Sequence, residues 1–161
     1  KILRGLETPD DGIVSFPRGL KIGYLPQETA ELGEGTVLEE TLAGEGDPGD
    51  EKRAAEAKKT LMGLGFRVTD FDRIATTLSG GWRMRVAIAR LLLQAPDLLL
   101  LDCPLRMLDE AAAMVYLRLI RSYMSDTQRA VIWCTDHLNI DAPAHRRVML
   151  LENQTLRELN R

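Results

Sequence analysis

The chain has 161 residues, 45% of them hydrophobic and 28% charged, which suits a globular protein with one ordinary core. Its net charge of −3 gives no overall basic surface for nucleic acid, although a local basic patch is not excluded. Apolar runs such as residues 98–101 are far shorter than a bilayer span, and no signal peptide is recognisable. The sequence therefore predicts a cytoplasmic protein without a membrane segment.

The start of the chain and its cysteines give two further expectations. The chain begins at Lys1 within a helix-like pattern, so a fragment of a longer protein is expected. The two cysteines, Cys103 and Cys134, lie in apolar strand-like segments. Buried, reduced thiols are expected there, and a disulfide between neighbouring strand ends is the less favoured alternative.

Short elements are predicted for the first 44 residues. "KILRGL" is the end of a helix that stops at Gly5, before the turn-forming "TPDDG". "IVSF" and "KIGYLPQ" predict two short strands joined by "PRGL". "TVLEETLAG" predicts a short helix from Thr36 to Gly44.

A helical block follows the linker-like stretch "GEGDPGDE". "EKRAAEAKKTLMGLGF" predicts a surface helix that stops at Gly63 or Gly65. After the irregular "TDFDRIATTLSGG", a second long helix is predicted from Gly81 to Gln94.

Strand and helix alternate in the C-terminal part. Leu98 to Leu101 predict a parallel strand buried on both faces. A helix from Asp109 to Tyr123, the strand "AVIWCT", a short helical turn and the strand "RVMLLE" follow, and "TLREL" is predicted to pair back as a hairpin across "NQ". This alternation predicts an α/β fold with a mostly parallel sheet. Residues 1–45 and 96–161 are assigned to the α/β core, and residues 46–95 to an inserted helical subdomain.

Three local features are candidates for a phosphate or metal site. Gln27 directly follows a predicted strand. Ser79 is a good N-cap, and Gly80 and Gly81 let the backbone approach a ligand at a helix start, where free N–H groups bind phosphate. Asp102 ends a buried strand, the place of an Mg²⁺-site carboxylate in nucleotide-binding folds.

Each feature taken alone has an ordinary structural explanation. A glutamine after a strand usually belongs to a surface loop, and Ser-Gly-Gly before a helix usually only caps it. An aspartate at a strand end often only forms a turn. The order and spacing of the three features give them their combined weight.

In that order the features resemble the nucleotide-binding domain of ATP-binding cassette (ABC) proteins, which have a P-loop NTPase-like fold. "KIGYLPQE" resembles the Q-loop, "LSGGWRMR" the signature motif, "APDLLLLD" the Walker B strand and "LDE" at residues 108–110 the D-loop. The resemblance implies ATP and Mg²⁺ as cofactors. It implies Mg²⁺ contacts for Gln27 and Asp102, and nucleotide contacts for Gln27, Ser79, Gly80, Gly81 and Asp109.

The resemblance also implies a partner. In the family the signature motif acts in trans, over ATP held by a second cassette in the same or another chain. "LSGGWRMR", with Trp82 where transporters usually have glutamine, resembles the ABC-F group of soluble tandem ATPases that mostly act on ribosomes. "GYLPQE" and the ending "LLENQTLREL" also suit that group. The signature is most like that of a first ABC-F cassette, which makes the ribosome a candidate partner.

The family's phosphate-binding P-loop would lie immediately before "KILRGL", and the sequence contains no such segment or strand. The resemblance therefore implies that this chain alone binds ATP poorly. Whether the native protein has a P-loop stays open. A sheet without that strand would expose a hydrophobic edge, so a marginally stable or aggregation-prone chain is expected.

Two positions depart from the family's catalytic pattern. Cys103 replaces the glutamate that polarises the attacking water, and a thiol is a poor base at neutral pH. At the switch position, usually Ser-His-Asp, the sequence has Thr135, Asp136 and His137. Either Asp136 faces the γ-phosphate and repels it, or a one-residue shift lets His137 serve. The family is an ATP hydrolase, and these changes predict impaired hydrolysis.

Three functions follow from these expectations: an ABC-F type cassette, a degenerate cassette with a structural or regulatory role, and the ATP-binding subunit of a transporter. The first two are compatible, because one cassette of a tandem protein can be degenerate. Other side chains are given structural roles. Arg83, Arg85 and Arg90 are predicted to form a solvated face rather than an RNA-binding patch, and Trp133 and Met149 to lie in the core.

Overall fold

The computed structural model describes residues 2–5, 7–26, 32–44, 47, 49–106, 108–125, 129–134, 148–152 and 155–159. Its helices and strands are β1 Ile22–Leu25, α1 Val37–Leu42, α2 Glu51–Gly63, α3 Gly80–Leu93, β2 Leu98–Asp102, α4 Glu110–Tyr123, β3 Ala130–Cys134, β4 Val148–Glu152 and β5 Thr155–Leu159. Short 3₁₀ turns occupy Ile2–Arg4, Val68–Asp70 and Ala75–Thr77.

β2 is the central strand of a parallel sheet with the order β1-β2-β3. Its first residue, Leu98, pairs with Ile22 on one side and Ala130 on the other. All four leucines of β2 are buried, and Leu99 and Leu101 belong to the main hydrophobic cluster. The prediction of a parallel α/β sheet flanked by helices, with a buried central strand, is confirmed.

β3 is only half-buried, because its side chains alternate between two environments. Val131 and Trp133 pack against the main cluster, whereas Ala130, Ile132 and Cys134 are exposed. Within the described residues β3 pairs with β2 alone. Among the described residues, β3 is therefore held by its hydrogen bonds to β2 and by the packing of its inward-facing side chains.

Trp133 reaches α4, as the prediction of a core position required. Its ring lies 5.8 Å from that of Tyr116, centroid to centroid. Deep burial raises the pKa of the Tyr116 hydroxyl, because the phenolate would be poorly solvated there. Met149 lies in β4, and its side chain falls outside what the structure describes.

α1 begins with a capping box. The Thr36 hydroxyl accepts a hydrogen bond from Glu39 N at 3.2 Å, and the Glu39 carboxylate accepts one from Thr36 N at 2.8 Å. The backbone and side-chain hydrogen bonds with Thr36 hold the pKa of Glu39 below its usual range. The predicted short helix is confirmed and ends at Leu42.

The three helices α1, α2 and α3 pack on one another, and α3 also packs on β1. Their apolar faces are almost completely buried at Val37, Leu61, Met84 and Ile88. α1 lies in the segment predicted for the α/β core, yet it packs on α2 and α3. A separate subdomain over residues 46–95 stays a prediction.

α3 meets the sheet at Gly23. A Cβ atom at this glycine would stand 2.6 Å from Leu91 Cδ1 and 2.9 Å from Pro96 Cγ. Only glycine lets β1 and α3 come so close, since real Cβ atoms do not approach other atoms to such distances.

The long helices agree with their predictions to within a residue or two. α2 starts after the N-cap Asp50 and stops at Gly63, α3 starts at Gly80, and α4 follows the N-cap Asp109. β4 and β5 form the predicted antiparallel hairpin. No helix among the described residues is both long and apolar enough to cross a membrane.

The prediction of a strand at "IVSF" is wrong. Residues 13–16 form no strand and are exposed, with Ile13 at 93%. A short apolar segment forms a strand only when a neighbouring strand completes its hydrogen bonds, and this segment pairs with none of the described strands. The predicted helix end is a single 3₁₀ turn, Ile2–Arg4, which Gly5 ends with φ of 69°.

Candidate functional site

The carboxyl end of β2 brings Asp102, Cys103 and Cys134 together. Asp102 is the last residue of β2, half-buried, and its Cα is the ladder partner of Cys134. The next residue, Cys103, donates its backbone N–H to the Cys134 carbonyl oxygen at 2.9 Å. This is the edge where parallel α/β sheets bind their ligands.

Cys103 turns the chain away from the sheet. Its φ is 46°, in the left-handed region that residues other than glycine seldom adopt. Its carbonyl oxygen accepts a hydrogen bond from Arg106 N at 3.1 Å, which closes a tight turn. A strained backbone at the end of the central strand is typical of functional sites.

Both cysteines are free, and the predicted burial of their thiols is only partly correct. Cys103 is half-buried, but Cys134 is exposed, because it lies on the face of β3 that points away from the main cluster. Partial burial, followed by the nearby Asp102 and Cys103, raises the pKa of the Cys134 thiol.

The N-terminus of α3 has the features of an anion-binding end. Ser79 is its N-cap, exposed and extended, and its hydroxyl makes no capping hydrogen bond. The first intrahelical bond runs from Arg83 N to the Ser79 carbonyl oxygen at 2.9 Å. The N–H groups of Gly80 and Gly81 therefore have no acceptor within the helix. With the positive end of the helix dipole, they can hold a phosphate oxygen.

Arg85 joins α3 to two other elements. Its guanidinium donates to the Leu64 carbonyl oxygen at 3.0 Å, lies 4.2 Å from the ring centroid of Trp82, and stands 3.6 Å from the Asp109 carboxylate. Asp109 in turn caps α4 by accepting from Ala112 N at 2.7 Å. Asp109, predicted from the resemblance to contact nucleotide, is thus tied to the helix that begins with Ser79.

Glu40 is a buried carboxylate that the sequence analysis did not single out. Its Oε2 lies 2.5 Å from Arg90 Nη2, and its Oε1 accepts from Gly35 N at 3.3 Å. Arg90 Nε also donates to the Glu40 carbonyl oxygen at 2.6 Å. A Glu two residues before the end of α1 and an Arg fifty residues later give no local signal, because only the fold brings them together.

The prediction that Arg83, Arg85 and Arg90 form a solvated face is wrong. The side chains of Arg85 and Arg90 are 13% and 24% exposed, and Arg83 is also half-buried, with its Nε buried and without a partner among the described residues. The helix is packed on several sides, so its polar positions face neighbouring elements rather than solvent.

Gln27, Asp136 and His137 lie outside the described residues. Their predicted roles, as Mg²⁺ contact and as switch residue, therefore stay predictions. So does the choice between Asp136 and His137.

The described residues fit ATP and Mg²⁺ in part. Asp102 is a half-buried carboxylate with no hydrogen bond or ion pair to any other described side chain, as a carboxylate that serves a cation would be. In the described part of the chain no three His, Cys, Asp or Glu side chains are grouped to hold a metal. A cation at Asp102 would therefore take its other ligands from phosphate oxygens and water, as Mg²⁺ does in nucleotide sites.

Comparisons with known proteins agree with this architecture. The family profile described as ABC transporter matches residues 1–106. The zinc import ATP-binding protein ZnuC of Cereibacter sphaeroides is 34% identical over 151 residues, 94% of this chain and 60% of that protein. ATP-binding cassette sub-family F member 3 of Rattus norvegicus is 37% identical over 108 residues, 67% of this chain and 15% of that protein.

A solved structure of similar fold is the dimeric post-hydrolysis state of the ATP-binding cassette MJ0796 bound to ADP and Pi. The TM-score is 0.64 at 27% identity, over 74% of this chain and 54% of that one. The chain spans less than two thirds of the length of each relative named here. The profile match over most of the chain, together with the shared sheet and helices, shows that the chain belongs to the ABC transporter family of ATP-binding cassettes.

Proposed function

We propose that this chain belongs to a cassette that works in a pair, in which Ser79, Gly80 and Gly81 close over the phosphates of ATP held by the second cassette. The observation that supports this most directly is the N-terminus of α3, with an exposed hydroxyl that makes no capping bond and N–H groups beside it that have no acceptor within the helix. MJ0796, a relative of the same fold, has been solved as a dimer with ADP and Pi, which supports a paired arrangement.

The chain's own site is proposed to hydrolyse ATP slowly or not at all. Asp102 would hold Mg²⁺, which neutralises phosphate charge when bound. Cys103 follows it at the position of the family's general base. A neutral thiol withdraws a proton from water poorly, and loss of a positioned general base costs roughly 10²- to 10⁴-fold in rate.

The finer assignment is a cassette of the ABC-F type that acts on the ribosome. Trp82 supports it, because the resemblance to ABC-F rests on this residue and its ring has a defined place. It lies 4.8 Å from Phe66, edge to face, and 4.2 Å from the Arg85 guanidinium. The 37% identity with ATP-binding cassette sub-family F member 3 also supports it.

An ATP-binding subunit of an importer is the second candidate. The supporting observation is the 34% identity with the zinc import protein ZnuC over 94% of this chain. Sedimentation of the tagged protein from cells separates the two. An ABC-F role places it with ribosomes in an ATP-dependent manner, and an importer role places it with the membrane fraction.

The hydrolysis proposal is tested by Cys103→Glu in the protein expressed from its native gene. A carboxylate restores a general base, so we expect kcat for ATP to rise by roughly 10²- to 10⁴-fold. Cys103→Gln is the matched control, with the same shape and no base, and should give no gain. An equally active Gln variant would contradict the assignment of Cys103 to the base position.

The capping proposal is tested by Gly81→Asp, which places a negative charge at the anion-binding end. We expect loss of ATP-dependent pairing in analytical ultracentrifugation. Gly63→Asp is the matched control, because Gly63 is an exposed glycine at the end of α2 with open space around it. Pairing that survives Gly81→Asp would exclude this helix end from the interface.

A further inference from the structure

We propose that Cys103 and Cys134 are a modification site: they form a reversible intramolecular disulfide when the chain meets a small disulfide oxidant such as oxidised glutathione. The proposal concerns the chemistry of these two side chains alone. It needs no nucleotide and does not depend on the proposed function.

The first support is the distance between the two backbones. One hydrogen bond of 2.9 Å joins Cys103 N to the Cys134 carbonyl oxygen. With ordinary bond lengths on either side of it, the two Cα atoms are at most about 7 Å apart. Cysteines that form disulfides usually have Cα atoms about 4.4 to 6.8 Å apart. The ladder between β2 and β3 holds this spacing, since Asp102 pairs with Cys134 directly.

The second support is the backbone conformation of Cys103. In a regular strand, side chains alternate, so the residue after Asp102 would point to the face opposite that of Cys134. Cys103 has φ of 46° and leaves the extended conformation, so that alternation does not apply to it. The turn that begins here therefore frees the Cys103 side chain from the face opposite Cys134.

The third support is access. Cys134 is exposed at the end of β3, which pairs with β2 alone among the described strands. Cys103 is half-buried beside it. An oxidant can thus reach Cys134 first, with Cys103 placed to complete the reaction.

The reaction balances as two thiol–disulfide exchanges. The Cys134 thiolate attacks one sulfur of oxidised glutathione, forms a mixed disulfide and releases one glutathione thiolate, which takes up a proton. The Cys103 thiolate then attacks the Cys134 sulfur and releases the second glutathione. The two cysteines lose two electrons and two protons, and oxidised glutathione gains them.

The bond would fix the end of β3 to the turn that follows Asp102. The segment between the two cysteines includes α4, so the disulfide closes a covalent loop of which α4 is a part. Oxidation would therefore hold the end of β2 at Asp102 and the turn that follows it in one conformation, and reduction would release them.

The test uses the reduced chain, treated with oxidised glutathione at low protein concentration. The sequence contains two cysteines, so the thiol count is unambiguous. We expect both free thiols to be lost, with an intact mass lower by two hydrogen atoms. After tryptic digestion without reductant, residues 91–106 and 130–146 should appear as one linked peptide.

Two matched variants sharpen the result. Cys103→Ser should instead gain the mass of one glutathione at Cys134 and form no internal link. The double variant Cys134→Ser, Ile132→Cys places the second thiol on the same strand and the same exposed face. It lies two residues before the position that pairs with Asp102. It should also fail to link internally.

Other outcomes would overturn the proposal. These are glutathione retained on both cysteines of the unchanged chain, two thiols that stay free, or cross-linking between chains as the main product. An internal link of equal yield in the Ile132→Cys variant would also overturn it, because the link would then reflect general mobility and not the geometry at Asp102.

Discussion

Helix α3 and strand β3 differ in how their side chains are held. Around α3, polar side chains reach across to other elements: Arg85 to Leu64 and Asp109, and Arg90 to Glu40. In β3, every second side chain faces outward, and a single ladder joins the strand to its described neighbour. Substitutions should therefore be costly around α3 and inexpensive on the outer face of β3.

The largest expected effect is that of Arg90→Leu. It leaves the Glu40 carboxylate, only 8% exposed, without its cation. Breaking a buried pair on one side costs about 3 kcal/mol of unfolding free energy. Urea unfolding followed by circular dichroism measures it, with Arg90→Lys as the control that keeps the charge.

The double variant Glu40→Leu, Arg90→Leu distinguishes the pair from simple packing. Removing both charges should recover much of the lost stability, since neither partner is then left unpaired. Additive losses in the two single variants would show that Glu40 and Arg90 act independently, and the contrast with β3 would weaken.

The next effect is that of Gly23→Ala. The added methyl group would meet Leu91 Cδ1 and Pro96 Cγ inside van der Waals distance, so β1 and α3 must separate. We expect a loss of about 2 kcal/mol in urea unfolding, as for other overpacked cores. Gly63→Ala is the control, because Gly63 has open space around it and, like Gly23, no positive φ. An equal loss of stability at Gly63 and Gly23 would refute the packing explanation.

Thr36→Ala should cost less, about 1 kcal/mol, because it removes one capping hydrogen bond from α1. Thr36→Ser keeps the hydroxyl and should retain most of the stability. The thermal midpoints of the three proteins give the comparison, and an equal loss in the Ser and Ala variants would argue against capping.

Acid should lower the free energy of unfolding slightly, through Glu39 in α1 and Asp70 in the 3₁₀ turn Val68–Asp70. Hydrogen bonds with Thr36 lower the pKa of Glu39, and hydrogen bonds with Arg67 and Arg73 lower the pKa of Asp70. Because the two pKa values are lower in the folded chain, the unfolded chain binds protons at Glu39 and Asp70 more readily. The stability that the two ionised carboxylates add is complete above the usual carboxyl pKa and is lost as pH falls through their lower pKa values in the folded chain. The urea concentration at the unfolding midpoint should therefore decrease as the pH is lowered below about 4. Glu39→Gln should flatten part of that fall, and a midpoint that ignores this substitution would contradict the assignment.

The smallest effect is expected in β3. Ile132 is 43% exposed on the outward face, so Ile132→Thr keeps a β-branched side chain and should change stability by less than about 0.5 kcal/mol. Val131→Thr, on the inward face of the same strand, should cost more. Equal losses at the two positions would show that the outer face of β3 is buried as well.

Local sequence patterns predicted the long helices and the central strand correctly. The four leucines of β2, the Ala-rich α2 and the glycine stop at Gly63 are local patterns, and local patterns are visible without partners. "IVSF" has the same apolar character as a strand but no strand beside it, so composition alone misled the prediction.

The sequence predicted the places of two candidate site residues in the fold, and predicted the contacts around them less well. Asp102 and Ser79 lie where their sequence context put them, at the end of a buried strand and the start of a helix. The roles of Arg85 and Arg90 depend on Leu64, Asp109 and Glu40, which are between 21 and 50 residues away from them in the sequence. Such contacts have no local signature. The exposure of Cys134 likewise depends on which face of β3 meets α4.

The close approach of β1 and α3 at Gly23 has a mechanical consequence. Ser79, the N-cap of α3, precedes Leu91 by about 12 residues, so at a rise of 1.5 Å per residue it lies about 18 Å from the Leu91 contact. Leu91 and Arg90 fix one end, whereas Ser79 at the other end is exposed. A tilt of about 5° at the fixed end would move Ser79 by about 1.6 Å, more than half the length of a hydrogen bond. Because Arg85 also ties α3 to Leu64 and Asp109, these neighbours would move with the helix as one lever. A shift too small to disturb the packing at Gly23 would then be enough to make or break a contact at Ser79.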